Sequence, residues 1–234
     1  MKYSEDNGET WTTTVPQGTD AISYHPQWKI FGDSNHNDTT PEIIDVTIAK
    51  VTPTVTAPTL VENLVYNSTS QALLNAGSTN FGTLQYSRNN ETFSTAIPTE
   101  INAGSYDVWY RVLGDSNIND VAAVKLTNTI SKATAAYTAP TSVNDLVYNG
   151  LSQALLNEGS TPDGTMQYSS DNNAWSTEVP TAINAGTYTS YWRIIGDSNH
   201  NDKASASIST TIDKAAGEMS APVAIGGLVY NGNT

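Results

Sequence analysis

One seven-residue segment returns three times at a fixed interval, and no other feature constrains the chain as much. Gly32-Asp33-Ser34-Asn35-His36-Asn37-Asp38 recurs 82 residues later at Gly114–Asp120, and 82 residues later again at Gly196–Asp202. Leu64-Val65-Tyr66-Asn67 recurs with the same spacing at Leu146–Asn149 and Leu228–Asn231. A fixed period of this length means small domains in tandem. Such arrays serve more often as stalks, spacers or multivalent binders than as single catalytic units.

Comparing the copies divides the 234 residues. Residues 1–50 match the second part of a unit, 51–132 and 133–214 are complete units, and 215–234 match the opening strand of another. A unit of this size lies within the range of domains that fold alone, near its marginal end. With no cysteine in the chain, each unit relies on its own core, without a disulfide framework.

Helical periodicity is missing, and short alternating runs rich in Val, Ile, Tyr, Trp and Thr stand between Gly, Asn, Asp, Ser and Pro. In Tyr106–Leu113, alternation puts Tyr106, Val108, Tyr110 and Val112 toward a core, and Asp107, Trp109, Arg111 and Leu113 outward. The third copy sets Tyr188, Ser190, Trp192 and Ile194 against Thr189, Tyr191, Arg193 and Ile195. In the next strand Val124, Leu126 and Ile130 are expected inward, with Lys125, Thr127 and Thr129 outward. Leu64–Asn67, Gln71–Asn75 and Thr83–Ser87 read as further strands. About six or seven strands per unit fit a two-sheet β-sandwich. The joins, such as Lys50-Val51-Thr52-Pro53 through Pro58, are short and carry Pro, so they are expected to be semi-rigid and to favour an extended rod.

Charge narrows the partners. The chain has 23 acidic and 10 basic residues, a net charge of −13, and no Lys/Arg cluster of the kind that phosphate binding requires, which argues against nucleic acid or an anionic membrane surface. No apolar run approaches the ~20 residues that span a bilayer, so direct membrane insertion is not expected. Met1–Asp6 does not read as a signal peptide.

Asn102-Ala103-Gly104-Ser105-Tyr106 and Asn184-Ala185-Gly186-Thr187-Tyr188 resemble the tyrosine corner of immunoglobulin-like domains. Together with the strand that follows and the Gly-Asp-Ser-Asn-x-Asn-Asp segment at its end, they resemble bacterial immunoglobulin-like repeats of the MBG-like and group-3 kinds. The first copy departs from the pattern. Ile22 replaces the Gly, and Pro26 inside the strand implies an edge or bulge there. The resemblance implies tandem immunoglobulin-like β-sandwiches in a secreted or surface-anchored bacterial protein, hence an extracellular location. It implies no ligand.

Ser4-Glu5-Asp6-Asn7-Gly8-Glu9-Thr10-Trp11 is similar to the Asp-box of sialidase propellers, which in that family is a structural hairpin turn. Asp6 is expected to brace a hairpin, and Trp11 to cap the core.

Two sets of residues are candidate sites. Asp33, Asn35, Asn37 and Asp38 alternate oxygen ligands with spacers, as do Asp115, Asn117, Asn119 and Asp120, and Asp197, Asn199, Asn201 and Asp202. Calcium takes several hard oxygen ligands in such arrays, and an ion near the preceding linker would stiffen a joint. The same residues also form self-bonded turns without any ion. The second set is the outward pairs Trp109/Arg111 and Tyr191/Arg193, where an aromatic beside a guanidinium suits a sugar ring or a host protein. The plain alternative is cation–π and cross-strand packing that covers the sheet. His36 and His200 share the acidic loop, but Ile118 stands in the middle copy, which speaks against a repeated histidine–metal site. Lys50, Lys132 and Lys214 recur at strand ends, where an isopeptide crosslink or a solvated lysine would both fit.

Catalysis finds no motif. There is no Gly-x-Ser-x-Gly, His-Glu-x-x-His, phosphate loop or cysteine nucleophile. The expectation is a non-catalytic stalk or spacer with neighbouring repeats as its partners, or else an adhesin-type module contacting glycan or protein through weak repeated sites. No cofactor beyond calcium is expected. A third arrangement, in which 215–234 of one chain completes the opening of another, falls short of a whole unit by about twelve residues on the repeat period.

Overall fold

The computed structural model describes residues 1–230 and residue 232, and it is all-β, with no helix among the described residues. Its contacts divide it into two compact units, Met1–Lys132 and Ala133–Thr234.

In the first unit Gly104–Leu113 lies between Thr83–Ser87 and Val121–Ile130 in an antiparallel sheet. Alternation along the central strand buries Val108 and Val112 completely while Ser105 and Leu113 stay exposed. The buried face is closed by Leu73, which lies between the short strands Gln71–Ala72 and Leu74–Asn75, and by Leu74; both pack with Tyr86, Val108 and Ile130. In the second unit Gly186–Gly196 is flanked by Gly164–Ser169 and Lys203–Asp213, and Leu146–Val147 adds in parallel to Ile212–Asp213. Leu156, Met166, Tyr168, Trp192 and Ile194 fill that core. An apolar face covered by a second set of short strands in each unit is consistent with a β-sandwich.

One polar residue ties the layers together in each unit. Asn128 is 8% exposed on the inward side of Val121–Ile130, and its Nδ2 donates to the carbonyls of Val61 at 2.9 Å and Leu73 at 2.7 Å. Thr210, its counterpart 82 residues on, donates from Oγ1 to Leu155 O at 2.8 Å. These bonds add a side-chain donor to carbonyls at the layer boundary; Leu73 O also accepts Val61 N at 3.3 Å and Leu155 O accepts Val143 N at 3.1 Å. Ser190, which stands where the first unit has Val108, is fully buried, and its hydroxyl has no hydrogen-bond partner among the described residues.

The corner before the central strand closes in all three copies. Tyr106 Oη donates to Asn102 O at 2.7 Å, Tyr188 Oη to Asn184 O at 2.8 Å and Tyr24 Oη to Asp20 O at 3.0 Å. Ile22 is compatible with it because neither Ile22 nor Gly186 adopts a positive φ, and Gly104 at φ 158° is close to extended backbone. Pro26 does interrupt its strand: Ser23–Tyr24 and Gln27–Lys29 are separate, and Pro26 serves only as an acceptor, for Ile44 N at 2.9 Å.

Four strand expectations need correction. Val124 pairs with Tyr110 yet is 42% exposed. It sits next to the register shift between Tyr110 and Val112, which breaks the regular pairing at that place. Leu64–Asn67 is no strand but a single parallel bridge from Val65 to Ser131, and Gln71–Asn75 breaks at Leu73. Residues 215–230 form no strand, and Leu228, Val229 and Tyr230 are more than 80% exposed. In the second unit the matching Leu146–Val147 pairs with Ile212–Asp213. Asn231 of that segment lies outside the described residues.

Candidate functional site

The acidic loop is built from turns that consume its own carboxylates. Asp33 Oδ1 accepts from Asn35 N at 2.8 Å and lies against His36 Nδ1 at 2.8 Å. Asp115 Oδ1 accepts from Asn117 N at 2.8 Å. Asp197 Oδ1 accepts from Asn199 N at 2.7 Å and His200 N at 2.9 Å. At the loop's far end Asp38, Asp120 and Asp202 each take the amide of Gly32, Gly114 or Gly196 at 2.7–2.8 Å. The bonds from Asp33, Asp115 and Asp197 to the amide two residues on are Asx turns, and those from Asp38, Asp120 and Asp202 close the loop six residues back.

The amides leave an electrostatic mark. Asp33 is held below the ordinary carboxylate range mainly by Asn35 N–H and then by the His36 ring. Asp197 is lowered chiefly by Asn199 N–H, and Asp38 by Gly32 N–H and then Lys29. Asn37 and Asn201 are exposed. Among the described residues no group of three or more His, Cys, Asp or Glu side chains is placed to hold a metal ion.

What the loop does hold is the chain entering its own repeat. Val51 pairs in parallel with Ile118: Val51 N donates to Asn117 O at 3.0 Å, and Asn119 N to Val51 O at 2.9 Å. Asn119 Nδ2 adds a bond to Thr52 Oγ1 at 3.0 Å. The second unit repeats the device, with Ala133–Thr134 running parallel to His200–Asn201 and Ala133 N donating to Asn199 O at 2.9 Å. There Asp163 also accepts Ala136 N at 2.7 Å and faces His200 Nε2 at 3.7 Å, with the His200 side chain only 12% exposed. Within the first unit the loop reaches back across the join as well. Lys50 Nζ donates to Asp115 O at 2.8 Å, and the Asn117 carboxamide meets Asp20 and Ala21. Sequence reading placed the loop near the linker but missed these side-chain contacts, because residues 65 to 97 apart leave no local pattern.

The outward pairs are arranged differently from the expectation. Arg111 stacks on Phe93 at 4.0 Å and Arg193 on Trp175 at 4.3 Å, so neither guanidinium is paired with the aromatic two residues before it. Lys29 lies over Trp11 at 4.9 Å in the matching place. Gln85 and Gln167 fix the two arginines through Oε1 at 3.0–3.1 Å. Trp109 is half-buried and has Lys125 5.5 Å above its ring, and Lys125 in turn pairs with Asp107 at 2.7 Å. Tyr191 is half-buried and pairs across to Ser169 and Ser207. Each aromatic–cation stack covers the sheet face as the plain packing alternative describes.

Asp6 braces its hairpin. Its carboxylate accepts the Thr10 hydroxyl, Thr10 N at 2.9 Å and Ser4 Oγ at 2.7 Å, while Trp11 Nε1 donates to Gly8 O at 3.1 Å. The Thr10 hydroxyl, followed by the Thr10 amide and Ser4, lowers the Asp6 pKa to about 2. Asn89 and Asp171 do the same work in the shorter loops of the later copies, each accepting two backbone amides and a serine hydroxyl.

A cleft of about 480 Å³ opens beside His25, Tyr24, Pro26 and Val46. His25 Nδ1 lies 2.6 Å from Asp45, and both side chains are mostly exposed. The same cross-strand position holds Asp107 with Thr127 at 2.7 Å and Thr189 opposite Ser209, so the His–Asp contact is one version of a recurring strand pair. No family model matches the chain, and no curated protein matches it either.

Proposed function

We propose that the chain is a non-catalytic spacer from an exported bacterial surface protein, made of immunoglobulin-like repeats in which the recurring acidic loop pairs with the segment that opens its own repeat. The observation that carries this reading is the pairing of linker with loop in both units: Val51 with Asn117–Asn119, and Ala133–Thr134 with His200–Asn201. A linker segment hydrogen-bonded as a strand to its own repeat leaves fewer free residues in the join, which suits a spacer. Loop carboxylates bound to amides suit a structural turn, and stacked arginines suit a covered sheet. The acidic surface suits an array that must stay soluble and apart from its neighbours.

Residue-resolved amide exchange of the full chain tests the reading. The amides of Val51, Asn119 and Ala133 are expected to exchange slowly, like the inner strands, and to be unaffected by mucin-type glycans. Exchange at random-coil rates would overturn the spacer role. Glycan binding that is lost in Trp109→Ala or Tyr191→Ala would replace it with an adhesin.

A further inference from the structure

The first join contains a side-chain contact that the backbone pairing does not require. Asn117 Oδ1 accepts from Ala21 N at 2.7 Å, and Asn117 Nδ2 donates toward Asp20 Oδ1 at 3.2 Å. Asp20 and Ala21 belong to the corner closed by Tyr24, whose hydroxyl both donates to Asp20 O and accepts from Asp20 N at 3.0 Å. The corner is therefore fixed independently of Asn117 and presents one amide donor and one carboxylate acceptor in a set geometry. A carboxamide is the side chain that matches such a pair, since it carries an acceptor and a donor on one planar group. On the other side of the loop, Lys50 Nζ holds Asp115 O at 2.8 Å, so the loop is gripped from both flanks.

We infer that Asn117 is the residue that sets the join between 1–50 and 51–132, and that the acidic loop is a docking surface. The partner it fits is the Asp20-Ala21 corner of the segment that comes before. This rests on the spacer reading and adds to it the element that fixes direction. Linker pairing limits separation, whereas a two-point contact between carboxamide and corner also fixes rotation. Asp at position 117 would keep the acceptor for Ala21 N but set a second carboxylate against Asp20, where like charges repel.

The test uses the full chain and single-residue amide exchange. Asn117→Ala is expected to speed exchange at Ala21 roughly tenfold, the equivalent of one lost hydrogen bond, while Asp20 N, held by Tyr24, is unchanged. Asn117→Asp is expected to loosen Ala21 as well, and adding Asp20→Asn to restore its protection. Leu73 N, bonded to Pro98 O at 3.0 Å, reports that each variant folds, and Lys50→Met supplies a second route to weaken the grip without touching Asn117. Unchanged Ala21 exchange in Asn117→Ala, or no rescue by Asp20→Asn, overturns the inference. Fast exchange at Val51 and Asn119 in the unaltered chain would instead remove the spacer reading beneath it, so the two failures are distinguishable.

Discussion

The guanidinium carbon of Arg193 lies 4.3 Å from the centre of the Trp175 ring, and 82 residues earlier Arg111 lies 4.0 Å from that of Phe93. The residues of each pair come from different strands or turns, so the stack pins the Ser169–Trp175 turn, or its counterpart at Ser87–Phe93, to the central strand. Stacks of this kind, partly exposed, contribute on the order of 1 kcal/mol. Arg193→Gln should therefore lower the stability of the second unit by about that amount, read from urea unfolding followed by tryptophan fluorescence. A loss near zero would mean that the contact does not hold the turn.

Asn128 should be the costliest polar position in the first unit. Asn128→Ala leaves the carbonyls of Val61 and Leu73 without their side-chain donor, for an expected loss of about 1–3 kcal/mol. Asn128→Thr, which installs the residue found at position 210, should cost less if its hydroxyl reaches Leu73 O as Thr210 reaches Leu155 O. Thermal unfolding of both variants checks the order.

Much of this was legible in the sequence. The inward set Val108, Val112, Trp192 and Ile194 follows from alternation alone, because a strand with one covered face has a period of two. Asn128 was passed over because a polar residue at an inward register reads as noise until its acceptors, far away in the chain, are known. Its place opposite an inward Thr210 one period later was the available signal. Val124 failed for another reason: alternation assumes an unbroken register and does not foresee the shift between Tyr110 and Val112 beside it. The arginine partners were missed because Phe93 and Trp175 arrive from a hairpin, and nearness in sequence favoured Trp109 and Tyr191.

Asp6 gives a pH signature. The Thr10 and Ser4 bonds hold its carboxyl pKa at about 2, below the ordinary aspartate value of 3.8, so its contribution is fully present above that ordinary value and is lost as pH falls through about 2. The Ser4–Trp11 hairpin should then stay intact at pH 5 and loosen between about pH 4 and pH 2. A carboxyl titration of Asp6 by NMR should show its midpoint well below that of an ordinary aspartate. A midpoint near 3.8 would mean that the Thr10 and Ser4 bonds do not persist in solution.

Chelation separates the two readings of the acidic loop. With Asp33, Asp115 and Asp197 already bonded to backbone amides, the melting temperature should be the same with a chelator as with millimolar calcium. An ion bound at a hundred times its Kd would add about 2.7 kcal/mol, so a calcium-dependent rise of several degrees would return these loops to the status of metal sites.

Residual dipolar couplings of the full chain test the central claim most directly. If Val51, Lys50 and Asn117 fix the first join, the couplings from residues 1–50 and 51–132 will fit a single alignment tensor, and in Asn117→Ala they will begin to diverge. Two unrelated tensors in the unaltered chain would show that the segments reorient freely and would contradict a spacer with a held joint.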